Sequence, residues 1–153
     1  KINSMAKYEE VFTDTQDLYT RLITNANLEH INITILADNK AKKITNTTKA
    51  NPLMKFRTGD DIIIVLNEKI FEQLPEEQQI ILAEESLAGI FYNEEKEAVE
   101  IQKEDFIAFS GVIRKYGFDT VEVLRESVKT LYAVEKQAED EAKNAKTSKK
   151  QFS

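Results

Sequence analysis

The chain has 153 residues, no cysteine, a single histidine (His30) and a formal net charge of −6. One domain of this size buries roughly two-thirds of its unfolded surface, enough for an apolar core without staples. The lack of cysteine excludes disulfides, thiolate metal sites and thiol nucleophiles and fits a reducing compartment, while one imidazole excludes an intrachain His-Glu-x-x-His zinc motif.

No apolar run approaches the roughly 18 residues of a membrane span, and the first apolar stretch is too interrupted by charge for a secretory signal. Residues 1–4 precede Met5 and read as a cloning remnant, so fold reasoning starts at Met5. Tyr8, Val11, Phe12, Thr15, Leu18, Tyr19, Leu22 and Ile23 recur at helical spacing and predict an amphipathic helix near 6–25, closed by Asn25-Ala26-Asn27. His30 follows at a helix–strand junction, where a partly exposed structural imidazole is expected. Ile31, Ile33 and Ile35 alternate with Asn32 and Thr34 and predict a half-buried strand near 31–37.

The segment 38–50 is polar, with an edge strand expected near 42–48 around Lys43-Ile44-Thr45. Asn51-Pro52 punctuates, and Leu53-Met54-Lys55-Phe56 reads as a short apolar turn. The unbroken run Ile62-Ile63-Ile64-Val65-Leu66 predicts a central strand near 61–66, covered on both faces. Glu68 to Gln73 reads as a short helical turn. Pro75 with Glu76 and Glu77 behind it opens a helix near 75–92, with Ile80, Ala83, Leu87, Ile90 and Phe91 as its core stripe.

Asp105 opens a helix near 105–116, buried through Phe106, Phe109, Val112, Ile113 and Tyr116 and ended by Gly117 in the left-handed conformation. Asp119-Thr120 starts another near 119–138, packed through Val121, Leu124, Val128, Leu131 and Tyr132. The stripe then fades, and 138–153 reads as a frayed helix running into a disordered tail. The expectation is one α+β domain over 5–137, a small sheet packed against several helices.

Charge is unevenly spread. From Glu72 to Asp105 eleven acids stand against Lys96 and Lys103, a net −9 that leaves the rest of the chain at +3. A pair of acidic helices is the expectation, either simply solvated or a docking face for a basic partner. Bases gather instead at Lys40, Lys42, Lys43, Lys49, Lys55 and Arg57, and in the tail at Lys143, Lys146, Lys149 and Lys150. There is no Walker loop, GxGxxG or GxSxG segment. Glu84 and Glu85 are sequence neighbours, so on a helix they point about 100° apart, and a Glu84–Glu104 pair requires two helices to pack.

The order of these segments resembles the metallopeptidases of phages and prophages, small zincin-like domains related in architecture to SprT-like proteins. The resemblance runs from about Ile31 to Gly117. It is carried by Lys55-Phe56-Arg57-Thr58-Gly59-Asp60-Asp61 with the strand behind it to Asn67, by Leu74-Pro75-Glu76-Glu77-Gln78-Gln79 with the apolar residues to Leu82, and by Asp105-Phe106-Ile107-Ala108-Phe109 continuing to Ile113-Arg114-Lys115-Tyr116-Gly117. It implies a zincin-like α+β fold. It also implies that the family's His-Glu-Leu-x-His motif falls just after Leu82-Ala83, with two imidazoles one turn apart on zinc and the glutamate activating water.

Those positions read Glu84-Glu85-Ser86-Leu87-Ala88 in this chain. The first ligand position is Glu84, the general-base position is still a glutamate at Glu85, and the second ligand position is Ala88. The third ligand position falls on Glu104. Ala88 has no donor atom, and carboxylates without imidazole suit Mg²⁺ or Ca²⁺, ions that want about six oxygens, better than Zn²⁺. The glutamates themselves read as solvent-facing replacements on a helix surface.

Taken with these replacements, the resemblance implies a catalytically inactive metallopeptidase-like phage protein without a cofactor, acting in the host cytoplasm as an accessory or regulatory protein-binding module. Its partner is expected among host or phage proteins, the transcription machinery included, with Glu94, Glu95, Glu97, Glu100 and Glu104 as candidate contacts. Two alternatives stand beside it. One is a nucleic-acid-associated protein using the basic loop 40–57 and the tail; the other is a divalent-cation-dependent hydrolase using Glu84, Glu85 and Glu104. No membrane partner is expected, and the stripe past Tyr132 is too thin to set an oligomeric state.

Overall fold

A computed structural model describes the backbone of residues 7–102 and 106–152, and the side chains of those residues outside 106–110 and 147–152. In chain order the elements are β1 (Glu9–Glu10), α1 (Thr13–Asn25), β2 (Ile33–Ala37), β3 (Thr45–Lys49), α2 (Pro52–Thr58), β4 (Ile62–Leu66), α3 (Glu68–Phe71), α4 (Glu76–Leu87), β5 (Ile90–Asn93), β6 (Ala98–Ile101), α5 (Phe106–Tyr116) and α6 (Phe118–Phe152). The fold is α+β: a small mixed sheet in the order β1-β2-β4-β3 packs against helices, and β5 and β6 form a separate hairpin. This architecture is compatible with a zincin-like fold.

β2 and β4 run parallel, from Ile33 opposite Ile62 to Ala37 opposite Leu66. β1 and β3 are the antiparallel edges. Because strand side chains alternate, Ile35, Ala37, Ile62, Ile64 and Leu66 share one face. That face is buried in one cluster with Tyr19 and Leu22 of α1 and with Ile81, Leu82, Ala83 and Leu87 of α4. The opposite face, with Thr34, Leu36, Ile63 and Val65, is only half-buried. β4 is therefore central in the sheet, but the cover expected on both its faces is found on one.

Other expectations need correction. The helix expected near 6–25 begins at Thr13; Phe12 is extended, and Glu9 and Glu10 pair with Ala37 and Leu36 at the sheet edge. No side chain caps α1 locally. Instead the N–H of Phe12 donates to Oε2 of Glu68 at 2.9 Å, a long-range contact standing in for a local cap. Leu53 to Phe56 belong to a helix rather than a turn. Asn51 accepts the N–H of Met54 at 2.7 Å, Pro52 presets the first turn, and Gly59 closes α2 at φ 80°.

The helix expected near 75–92 ends at Leu87. Ala88 turns to extended backbone and Gly89 takes φ 87°, where a Cβ would lie 2.8 Å from the carbonyl oxygen of Gln102. Ile90 to Asn93 then pair with β6 instead of continuing the helical stripe. The second acidic helix is thus a hairpin, with Glu94, Glu95 and Glu97 exposed in its turn. Ile81 and Leu82 are buried besides Ala83 and Leu87, so α4 is covered more widely than one stripe requires.

Gly117, at φ 91°, separates α5 from α6. α6 packs through Val121, Leu124, Val128 and Leu131, Tyr132 donates to the carbonyl of Ala41 at 2.8 Å, and Lys69 pairs with Glu135. Beyond that point α6 continues as one helix to Phe152, where a frayed and disordered tail was expected. Alanine, glutamate, lysine and glutamine sustain it there without an apolar stripe, helped by side-chain pairs such as Gln137 with Glu141 at 3.3 Å. The expected inward positions Phe106 and Phe109 lie outside the described side chains. Among the described residues no helix is long and apolar enough to cross a membrane.

Candidate functional site

α4 and the residue that ends it, Ala88, carry the positions that the resemblance implies for the motif. Pro75 is extended (φ −58°, ψ 151°) and places Glu76 and Glu77 in the first turn, where their charge suits the exposed N–H groups. At the other end the N–H of Ala88 still bonds to the carbonyl of Glu84 at 3.0 Å. Residues 84 and 88 therefore stand one turn apart on one face, the spacing a pair of imidazole ligands needs.

The groups at those positions do different work. The Glu84 carboxylate accepts from Nζ of Lys115 at 2.8 and 3.0 Å and from Oη of Tyr116 at 2.6 Å, fastening α4 to the last turn of α5. Its side chain is 22% exposed, so it is a partly buried anchor and not the solvated replacement expected from the sequence. The bond to Glu84 is the main influence raising the Lys115 ammonium, against slight burial. Burial first, and the Glu84 carboxylate second, push the Tyr116 phenol up. Ala88 presents only a methyl group.

Glu85 turns away to α6, with Oε2 3.2 Å from Nη2 of Arg125. The divergence expected of adjacent helical residues is observed. Ser86 faces the core, where its hydroxyl donates to the carbonyl of Ala83 at 2.7 Å and lies 2.8 Å from Oη of Tyr19. With the serine proton used in this way, the tyrosine is the donor of that pair. Burial holds the Tyr19 phenol well above its usual range, which keeps it a neutral donor. Thr47 of β3 donates to the carbonyl of Ser86 at 2.7 Å, so one turn of α4 is pinned to α1, β3, α5 and α6.

A cavity of about 250 Å³ opens beside Glu84 and Ala88, its lining including Leu22, Ala26, Leu87 and Lys115. It is smaller than typical small-molecule pockets. A catalytic zinc ion needs about three protein ligands. Here the first position is held by an ammonium and a phenol, the second has no donor, and Glu104 lies outside the described residues, so the donors present do not fit that ion. Among the described residues no three His, Cys, Asp or Glu side chains group where a metal ion would be held. Glu84 and Glu85, bonded to different helices, do not converge on a common cation either.

Of the candidate contact residues, Glu94, Glu95 and Glu97 project from the hairpin turn, where Asn93 accepts the N–H groups of Glu95 and Lys96 at 3.0 and 3.2 Å. Glu100 is half-buried opposite Phe91 and lies 3.4 Å from Nζ of Lys49. Among the bases, Lys40, Lys42 and Lys43 are exposed ahead of β3 and Arg57 is exposed on α2. Lys49 is tied to Glu100, and Lys55 to Asp61 at 2.6 Å, which partly neutralises the basic loop. Lys143 and Lys146 are exposed on α6, and Lys149 and Lys150 lie outside the described side chains. His30 is exposed at its junction.

Sequence reasoning missed two buried acids. Glu68, 2% exposed, takes the Phe12 N–H. Asp61 accepts from Lys55 and from the N–H of Asn32 at 3.0 Å; burial pushes its carboxyl up, but these two donors outweigh burial and leave it below the usual carboxylate range. The only local signal was the doubled acid at Asp60-Asp61 ahead of an apolar strand, and it names no partner.

The sequence profile of a protein family described as "Putative phage metallopeptidase" matches residues 6–133. No curated protein and no solved structure matches the chain.

Proposed function

The chain belongs to the phage metallopeptidase family, the match spanning residues 6–133, and we propose that within it this is a catalytically inactive member that works by binding a protein in the host cell. One observation carries the reading. The carboxylate at the first ligand position is committed to Lys115 and Tyr116, while Ala88 at the second offers no donor. A glutamate survives at the general-base position, but Glu85 is bonded to Arg125, and without a metal-bound water it has nothing to activate. What the scaffold retains is a rigid body with surfaces to present.

The hairpin is the surface best suited to a protein. Phe91 and Tyr92 are exposed on alternate faces of the strand that leads into the turn carrying Glu94, Glu95 and Glu97, so each face offers one aromatic side chain near acidic groups. Aromatic residues are enriched at interfaces, and an acidic rim selects a basic partner and speeds its approach.

The test is metal analysis of the purified full chain after zinc loading, together with a general peptidase assay with and without chelator. The expected result is sub-stoichiometric zinc and no chelator-sensitive cleavage. Stoichiometric zinc, or cleavage abolished by chelation, overturns the reading.

A further inference from the structure

α6 meets the core through Val121, Leu124, Val128 and Leu131, but Val123 lies off that stripe and is 59% exposed. From Glu122 to Leu131 the helix faces the link between α3 and α4 at Gln73, Leu74 and Pro75. An open groove of about 560 Å³ lies between them, with Leu74, Pro75, Val123 and Leu131 as its apolar lining. At 1.5 Å of rise per residue the α6 wall is about 14 Å long.

The charge along this groove has one sign. Glu122 and Glu126 line it, and no base is among its described lining residues. The two stand four positions apart on α6, a like-charge spacing that disfavours a helix. Neither takes part in the ion pairs among the described residues, although Lys129 follows Glu126 by three positions. Beside the opposite wall Glu72 and Glu77 are exposed, while Glu76 lines a separate hollow with Arg21.

We infer that this groove holds a basic amphipathic segment of a partner protein, its apolar side chains against Leu74 and Val123 and its lysine or arginine side chains over Glu122 and Glu126. This surface is distinct from the hairpin, and its occupancy does not depend on the hairpin's. Shape and charge select the occupant. Small-molecule sites enclose most of their ligand, which an open groove does not do, whereas a peptide laid along a helix needs cover on one side only. The paired carboxylates repel phosphates of nucleic acid and anionic lipid. A segment that brings cations relieves the repulsion between them, and an acidic segment adds to it.

Fluorescence anisotropy of the full chain with a labelled leucine–lysine peptide, apolar on one helical face, tests the inference. Binding is expected that weakens as salt rises and is lost when the peptide's lysines become glutamate or its leucines become serine. Glu122→Gln with Glu126→Gln, and separately Val123→Ser, are each expected to weaken it roughly fivefold or more. Glu94→Gln with Glu95→Gln, the same loss of charge on the hairpin, is expected to leave it unchanged. All five positions are exposed, and urea melts check that the variants fold. Absence of binding overturns the inference, as does binding indifferent to either groove variant. Binding weakened as much by the hairpin pair overturns it too and assigns the peptide to the hairpin or to general negative charge. Self-association of the chain that the groove variants abolish also overturns it and gives the groove to a second copy. None of these outcomes alters the zinc and peptidase results, so failure here is separable from failure of the inactive-member reading.

Discussion

Replacing Glu84 by alanine removes the anchor between α4 and α5, and its cost follows from the geometry. The 2.6 Å bond from Tyr116 goes to a carboxylate in a partly buried setting, a type worth about 1.5–3 kcal/mol. The Lys115 pair counts for less: that side chain is 60% exposed, so solvent screening leaves it at about 0–1 kcal/mol. The expected loss for Glu84→Ala is therefore about 1.5–4 kcal/mol. For a chain of this length that lowers Tm by roughly 3–16 °C. Glu84→Gln, which can still accept from Tyr116 but without charge assistance, should lose roughly half as much.

The pH dependence has a definite sign. Tyr116 and Lys115 both have folded-state pKa values raised above their ordinary ones. Their contribution is fully present below the ordinary values, near pH 10, and is lost as pH rises through the raised ones. The stability gap between the native chain and Glu84→Ala should therefore hold through neutral pH and close in alkali. Urea denaturation followed by circular dichroism measures it, and a cycle with Tyr116→Phe should return a coupling on the order of 1 kcal/mol or more. Glu84→Ala within about 0.5 kcal/mol of the native chain would mean the carboxylate is ordinary surface and the anchor argument is wrong.

Two further outcomes are expected. Asp61→Asn should destabilise by about 1–3 kcal/mol at neutral pH. Because the folded-state pKa of Asp61 is lowered, its contribution exists above the ordinary carboxylate value near 4 and is lost as pH falls below it, so melts of the two proteins should converge in acid. The double variant Glu84→His with Ala88→His should bind zinc, in competition with a chromophoric chelator, more tightly than the native chain, because its two imidazoles stand one turn apart; equal affinity would refute the shared face of residues 84 and 88.

The parts of the fold legible in the sequence are those where burial is a matter of period. The alternation at Ile31, Ile33 and Ile35 and the run from Ile62 to Leu66 both found their strands. The run could not say how many faces were covered, because five branched residues look alike whether the outer face is sealed or half open. The α4 boundary failed for a related reason. Ile90 and Phe91 continue the helical stripe arithmetically, and the contrary signal was one glycine, Gly89, whose positive φ and close approach to Gln102 show only in three dimensions. Phe12 offered no capping side chain, since its N–H is served by Glu68, 56 residues away in sequence.

The site divides along the same line. Residue types at 84, 85 and 88 are plain in the sequence, and their chemistry alone argues that zinc has no seat there. What the replacements do is not plain, because Lys115 and Tyr116 reach Glu84 across 31 and 32 positions and Arg125 reaches Glu85 across 40. The carboxylate of Glu84 is held by an ammonium and a phenol from the neighbouring helix, a cross-link between α4 and α5 that pairs a partly buried charge with two donors. The bonds from Lys115 and Tyr116 to Glu84 hold α4 against α5 through side chains alone.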